Sequence, residues 1–302
     1  MTDLTGKLAF ITGGASGIGL GIAHAAAKAG MKVAIADIRQ ESIDKALETF
    51  PADAVVKGYV LDVTRRDQYE ALADQVEAEL GPVWLLVNNA GIGVAGPAHL
   101  ATWADWDWMM DVNLGGVING CKIFVPRLLE RKSGYIVSTA SMSGMLPHPG
   151  TVMYTTAKAA VIGMCESLRS ELAPNGIGVS AFCPGPVQSN LSKSGEIRPA
   201  AFAETGYAES DKRRQGNQTV QHLFKDADWA GERVIQGVKN NELYILTHSE
   251  FRDGLQARTE AIMASVPDYE QSEELKERFG MLMWNPIHVE ERDRQRKLRG
   301  AA

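Results

Sequence analysis

The run Leu8-Ala9-Phe10-Ile11-Thr12, followed by Gly13-Gly14-Ala15-Ser16-Gly17-Ile18-Gly19, constrains the fold more than any other stretch of the chain. Leu8 to Ile11 are apolar without alternation, the pattern of a strand covered on both faces. The glycines that follow can take φ > 0 and, having no Cβ, let a bulky anion approach the main chain. A helix starting near Ile18 would present unpaired N–H groups and the positive end of its dipole to that anion. Gly13, Ser16, Gly17, Ile18 and Gly19 are therefore candidates to cradle the pyrophosphate of a dinucleotide. The Gly-x-x-x-Gly-x-Gly spacing differs from the commoner Gly-x-Gly-x-x-Gly, and an ordinary glycine-rich turn is the alternative.

The next unit favours the dinucleotide. Lys32-Val33-Ala34-Ile35-Ala36-Asp37 reads as a second apolar strand ending in a carboxylate. An acidic side chain at this distance can accept both hydroxyls of an adenosine ribose and would repel a 2′-phosphate. NAD is thus expected over NADP, with Arg39 as the residue that could instead face a 2′-phosphate.

Strand and helix signals then alternate. A polar helical stretch to Leu47 leads to a strand over Val55–Val63, and a helix runs from about Arg66 to Leu80. Trp84–Val87, Tyr135–Ser138 and Val179–Phe182 read as further buried strands. Between them lie helical segments around Trp103–Trp108, Asn113–Glu130 and Thr151–Leu172, and Leu243–Thr247 reads as a last strand. Strands separated by helices of this length pair in parallel, which predicts an α/β doubly wound parallel sheet, a Rossmann fold. The expected organisation is a dinucleotide-binding and catalytic domain over 1–249, with a substrate lid over 188–225, and a C-terminal helical extension over 250–302.

The chain has 302 residues, 45% of them hydrophobic and 23% charged, which suits a globular protein with a sizeable core. A net charge of −6 gives no reason to expect nucleic acid or an anionic membrane as partner. No signal pattern opens the chain and no apolar run would span a bilayer, so a cytoplasmic protein is expected. Cys121, Cys165 and Cys183 are odd in number and set among apolar neighbours, so buried thiols are expected and no metal site.

In such a sheet ligands gather at the carboxyl ends of the strands. Asp62-Val63 and Asn88-Asn89-Ala90-Gly91 lie there and can line the adenosine and its ribose, although each alone is also a plain turn. Ser141 follows the fifth strand, with Ser138 and Ser143 as rivals and a structural cap as the alternative role. Tyr154 and Lys158 are four residues apart, so on a helix phenol and ammonium share a face. A nearby cation favours the phenolate and makes a tyrosine usable as acid or base near neutral pH. Met142, Met145, Met153 and His148 flank these residues and are candidates for a substrate pocket, plain packing being the alternative for the methionines.

Thr12-Gly13-x-x-x-Gly17-x-Gly19, Asn88-Asn89-Ala90-Gly91, Asn113, Ser141, Tyr154-x-x-x-Lys158 and Pro184-Gly185, in this order and at these separations, resemble the short-chain dehydrogenase/reductase family over residues 5 to 190. The resemblance implies that Tyr154 exchanges a proton with the substrate oxygen and that Ser141 hydrogen-bonds that oxygen. It implies that Lys158 holds the nicotinamide ribose and depresses the Tyr154 pKa, and that Asn113 anchors a water linking Lys158 to solvent. Pro184, Gly185, Val187 and Ser189 would border the nicotinamide, and the segment through Arg214 would close over substrate as a mobile lid. The family also implies a homodimer or homotetramer.

Past residue 247, Phe251, Leu255, Ile262 and Val266 lie at helical spacing, Glu273 to Trp284 suggests another amphipathic helix, and Glu290 to Arg299 is nearly all charged and expected to fray. This extension, with the Trp106–Gly120 and Ser189–Ala200 stretches, resembles the branch that includes bacterial Cα-dehydrogenases of lignin-derived aryl-glycerol ethers. That implies oxidation of a bulky aryl secondary alcohol to a ketone. A ketosteroid, polyol or 3-oxoacyl substrate is the competing enzymatic reading, and an NAD-sensing regulatory protein the non-enzymatic one. The set Asn113, Ser141, Tyr154 and Lys158, which a sensor does not need, argues against the latter.

Overall fold

The structure is a computed structural model that describes residues 2–208 and 221–300. Seven parallel strands form one sheet in the order β3-β2-β1-β4-β5-β6-β7. They are β1 (Leu8–Thr12), β2 (Lys32–Asp37), β3 (Val56–Val60), β4 (Val83–Asn88), β5 (Gly134–Thr139), β6 (Ile177–Cys183) and β7 (Tyr244–Leu246). The helices between them are α1 (Gly17–Lys28), α2 (Gln40–Leu47), α3 (Arg66–Leu80), α4 (Trp103–Met110), α5 (Gly116–Arg131), α6 (Met142–Met145), α7 (Val152–Leu172) and α8 (Ala227–Asn240). The doubly wound sheet anticipated from the alternating signals is present, with boundaries moved by a few residues.

Strand side chains alternate between faces, and β1 divides them accordingly. Phe10 joins Tyr69, Phe124, Val161 and Ile136 in the core under α3, α5 and α7. Ala9 and Ile11 join Ile22, Val33, Val137 and Val234 in the core under α1 and α8. A third, smaller cluster of Ile92, Val94, Trp108, Met109, Met153 and Tyr207 lies outside the sheet.

Order reverses at β1, where β2 turns off one side and β4 the other, so a crevice opens at their carboxyl ends. Thr12 pins that crevice. Its buried hydroxyl donates to the Val87 carbonyl and accepts the N–H groups of Asn89 (2.9 Å) and Ala90 (3.1 Å). Asn89 returns the link, its amide donating to the carbonyls of Thr12 and Gly13 and accepting from Thr139 Oγ1. Three strand ends are thereby tied together.

After β7 come α9 (Arg252–Ala264), α10 (Glu273–Met283) and α11 (Pro286–Leu298). Phe251 and Leu255 pack on the core as their spacing suggested, whereas Ile262 and Val266 are 52% and 61% exposed. The charged end does not fray among the described residues. Asn285 caps α11, Pro286 starts it, and Ile287 and Glu291 are buried, Glu291 holding Arg294 and Gln295.

If Thr12 carries this junction, Thr12→Val orphans two N–H groups and lowers stability by about 2 kcal/mol, while Thr12→Ser keeps the loss below about half of that. Urea unfolding checks it; equal stability of the valine variant and the wild type contradicts the assignment.

Candidate active site

The glycine turn has the conformation its composition requires. Gly13 and Gly17 have φ of 60° and 50°, and a Cβ on Gly19 would collide with the Gly13 carbonyl oxygen. Ser16 precedes α1 without a side-chain bond to it, and no acidic residue stands in the first turn. The helix N-terminus is left with N–H groups that an anion can take. Asp37, 8% exposed, closes β2, accepts the Arg39 N–H at 3.2 Å and has Arg39 Nε 4.0 Å away. That Nε is buried without a hydrogen-bond partner among the described residues.

A cleft of about 1210 Å³ opens beside this turn. Its walls include Gly17 and Ile18, Ser141 and Met142, His148, Tyr154, and the run Pro184, Gly185, Pro186, Val187, Gln188, Ser189. Sequence-predicted residues from separate stretches of the chain thus meet in one space. Gly93, Val94, Leu191, Phe224 and Phe251 also line it; the sequence put Leu191 and Phe224 in the 188–225 segment and Phe251 on a helical stripe but assigned none of the five to a pocket, for an apolar residue carries no chemical signature.

Other candidates stand behind the wall. Asn89 and Ala90 belong to the Thr12 junction, Asp62 accepts the N–H and hydroxyl of Thr64 in a local turn, and Val63 packs on Gly116. Two methionines depart from expectation. Met153 is 2% exposed in the third cluster and Met145 packs on the main core; neither is among the cleft's lining residues, because helix spacing turns both inward.

The Lys158 ammonium is buried behind this cleft. Tyr154 and Lys158 sit one turn apart on α7, with Lys158 Nζ 5.7 Å from the Tyr154 ring centroid. Nζ donates to the Thr139 carbonyl at 2.7 Å, the residue is 3% exposed, and no carboxylate pairs with it among the described residues. Burial pulls its pKa from 10.5 down to about 8, which leaves it cationic at neutral pH. Ser141 caps α6, its hydroxyl accepting the Ser143 N–H at 3.1 Å, so its O–H proton remains available for a second partner. Burial pushes the Cys121 and Cys183 thiols up to about 12 and raises Cys165, which keeps all three protonated.

Asn113 lies in a π-helical turn, Asp111–Gly115, between α4 and α5. Its side chain is fully buried and holds both polar groups of Ile92, donating to the carbonyl at 3.0 Å and accepting the N–H at 3.2 Å. The spot beside Gly91 has Asn113 Oδ1 and Lys158 Nζ as neighbours, so the three residues adjoin.

The segment after β6 is more firmly held than a mobile lid. Ser194 Oγ accepts the Gly93 N–H at 2.9 Å, and Arg198 pairs with fully buried Asp105 at 2.7 Å while lying over the Trp108 ring. Asp105 also closes a capping box with Thr102 at the start of α4 and accepts the Gly206 N–H. Tyr207 is buried and donates to the Pro97 carbonyl. Arg214 and the rest of 209–220 lie outside the described residues.

The short chain dehydrogenase family pattern matches residues 7–198. This chain is a short-chain dehydrogenase/reductase. The dehydrogenase is 37% identical over 277 residues to the C alpha-dehydrogenase of Sphingobium sp. strain SYK-6, covering 91% of each chain. It is 40% identical to the apo form of LigO from the same organism, covering 95% of this chain and all of that one with a TM-score of 0.75. A short-chain dehydrogenase/reductase of Burkholderia phymatum solved with NAD is 30% identical, with a TM-score of 0.82 over 90% of this chain and 100% of that one. The dehydrogenase is accordingly an oxidoreductase that uses a nicotinamide dinucleotide, and the open N-terminus of α1 beside Gly17 and Ile18 fits that cofactor's pyrophosphate. No helix among the described residues is long and apolar enough to cross a membrane.

A lysine whose folded pKa lies below its unfolded value destabilises the fold fully below pH ~8, and the penalty fades as pH rises toward ~10.5. Lys158→Met should therefore abolish turnover yet leave the melting temperature at pH 7 unchanged or higher. The gap should narrow between pH 8 and 10; a variant several degrees less stable at pH 7 contradicts it.

Proposed function

We propose that this dehydrogenase oxidises a bulky aryl secondary alcohol, such as a lignin-derived aryl-glycerol ether at its Cα position, to the ketone, with NAD as oxidant. The observation that carries the reading is the meeting of Tyr154, Ser141 and the Gly17 turn on one cleft, with the Lys158 ammonium behind the phenol. The substrate class is supported by the cleft's size and its Phe224 and Phe251 walls, and by the name of the Sphingobium relative.

The residues divide the work as follows. Ser141 Oγ and Tyr154 Oη hold the substrate oxygen, which orients the carbinol hydrogen toward the nicotinamide end of the cleft. Tyr154 takes the alcohol proton as the C–O bond becomes double, and in the reverse direction returns it. The bound nicotinamide supplies the acceptor for the departing hydride. Lys158 favours the phenolate form in which Tyr154 accepts that proton, and its remaining N–H groups would be open to ribose hydroxyls. Asn113 fixes the Ile92 backbone and with it the wall between Gly91 and Gly93. The preference for NAD over NADP is supported by the Asp37 carboxylate at the end of β2, which would repel a 2′-phosphate, with Arg39 drawn toward that carboxylate.

Two outcomes check these roles. Tyr154→Phe should cut kcat by at least about a hundredfold while the NAD dissociation constant stays within roughly twofold; retained turnover shows that another group carries the proton. Asp37→Ala should raise kcat/KM with NADP relative to NAD by about tenfold or more, as loss of one charge repulsion allows, and an unchanged ratio removes Asp37 from cofactor choice.

A further inference from the structure

One hydrogen-bonded pair beside the cleft has no part in the chemistry above. The turn Pro184-Gly185-Pro186 leaves β6 and forms part of the cleft wall. Its prolines have no N–H, so Gly185 supplies the turn's one amide donor, which goes to Thr247 Oγ1 at 2.9 Å. That hydroxyl lies 2.6 Å from His248 Nδ1. With its oxygen accepting from Gly185, the hydroxyl has its own proton free for Nδ1, an arrangement that suits a neutral imidazole protonated on Nε2. The turn's carbonyls are held too, Pro184 by the Met142 N–H beside Ser141 and Pro186 by the Lys225 N–H, both at 3.1 Å.

The imidazole has little room to move. Trp229 and Phe251 meet it edge-on at 5.9 and 6.1 Å, and a Cβ on Gly185 would come within 2.6 Å of both His248 Nδ1 and Phe251 Cε2. Phe251 itself lines the cleft. A shift of the Thr247–His248 pair therefore moves the wall on which the nicotinamide end of the cofactor would rest and, through Pro184 and Met142, the backbone next to Ser141.

We propose that Thr247 and His248 are positioning residues that hold the Pro184–Pro186 turn at the depth hydride transfer requires, by the relay from Gly185 N–H through Thr247 Oγ1 to His248 Nδ1. Neither residue needs to touch substrate or cofactor. Protonated His248 would reverse one bond of the relay, Nδ1 then donating to the second lone pair of the Thr247 hydroxyl while Gly185 keeps the first. Burial holds the His248 pKa below its ordinary value; Lys225 acts in the same sense, while Glu250 and the Pro186 carbonyl oppose it. His248 is thus held toward the neutral form, in which Nδ1 accepts the Thr247 proton.

The inference rests on the dehydrogenase reading above, and the test separates the two by reading NAD binding as well as turnover. Purified Thr247→Val, Thr247→Ser, His248→Leu and His248→Asn are compared with wild type for NAD dissociation constant, for kcat and KM with an aryl secondary alcohol, and for melting temperature. Thr247→Val should lower kcat about tenfold and weaken NAD binding several-fold. Thr247→Ser, which restores the hydroxyl, should return both to within about twofold. His248→Asn, whose amide oxygen replaces the Nδ1 acceptor, should retain more activity than His248→Leu. Equal kcat and NAD affinity for Thr247→Val and wild type would overturn the inference, as would a serine variant no better than the valine. Should Thr247→Val fail to fold, the His248 pair decides alone, and equal activity of Asn and Leu overturns it. If wild type turns over no aryl alcohol, the substrate reading fails, while the NAD constants still decide the relay.

Discussion

An ammonium buried without a carboxylate partner is the constraint around which this site is arranged. Lys158 is 3% exposed and its recorded hydrogen bond goes to a neutral carbonyl, that of Thr139. Removing such a charge from water is unfavourable unless something else makes use of it. What faces it is consistent with such a use. The Tyr154 ring lies one helical turn away, Gly91 and Asn113 adjoin, and the carbonyl ends of β4 and β5 frame the space. The site is therefore poised for negative charge to arrive, from a phenol losing its proton and from ribose hydroxyls turning their oxygens inward.

The scaffold makes that placement possible by closing the neighbouring strand ends onto each other. Thr12 and Asn89 tie β1, β4 and β5 at the crevice where strand order reverses, and the π-helical turn brings the Asn113 side chain onto the Ile92 backbone. Beyond the sheet, the Asp105–Arg198 pair and Tyr207 hold the segment after β6 against α4. The cleft is bounded by several independently anchored pieces, and α9 follows directly on Phe251, which forms part of its far wall.

Much of this was legible in the sequence, for reasons that are local. Two-sided burial makes β1, β4 and β6 apolar without alternation, the glycine turn needs positive φ at 13 and 17, and Tyr154 and Lys158 share a face because of helical spacing alone. The rest depends on pairings across long separations. Gly185 and Thr247 are 62 residues apart and Arg198 and Asp105 are 93 apart, and no periodicity announces such partners. Pattern also misleads where it says which residues are apolar but not what they touch. Ile262 and Val266 keep helical spacing yet stay exposed, Met153 flanks Tyr154 yet packs in a core, and the charged tail Glu290–Arg299 forms most of an ordered helix.

The most direct test of the central claim is an NMR titration of Lys158 in the free protein labelled with 13Cε-lysine, its signal assigned by its absence from Lys158→Arg. A midpoint near pH 8 is predicted, the position to which burial draws this ammonium. A midpoint at the ordinary lysine value of about 10.4 would mean that water or an anion already compensates the charge, and would contradict the account of how this site prepares a phenol to give up its proton.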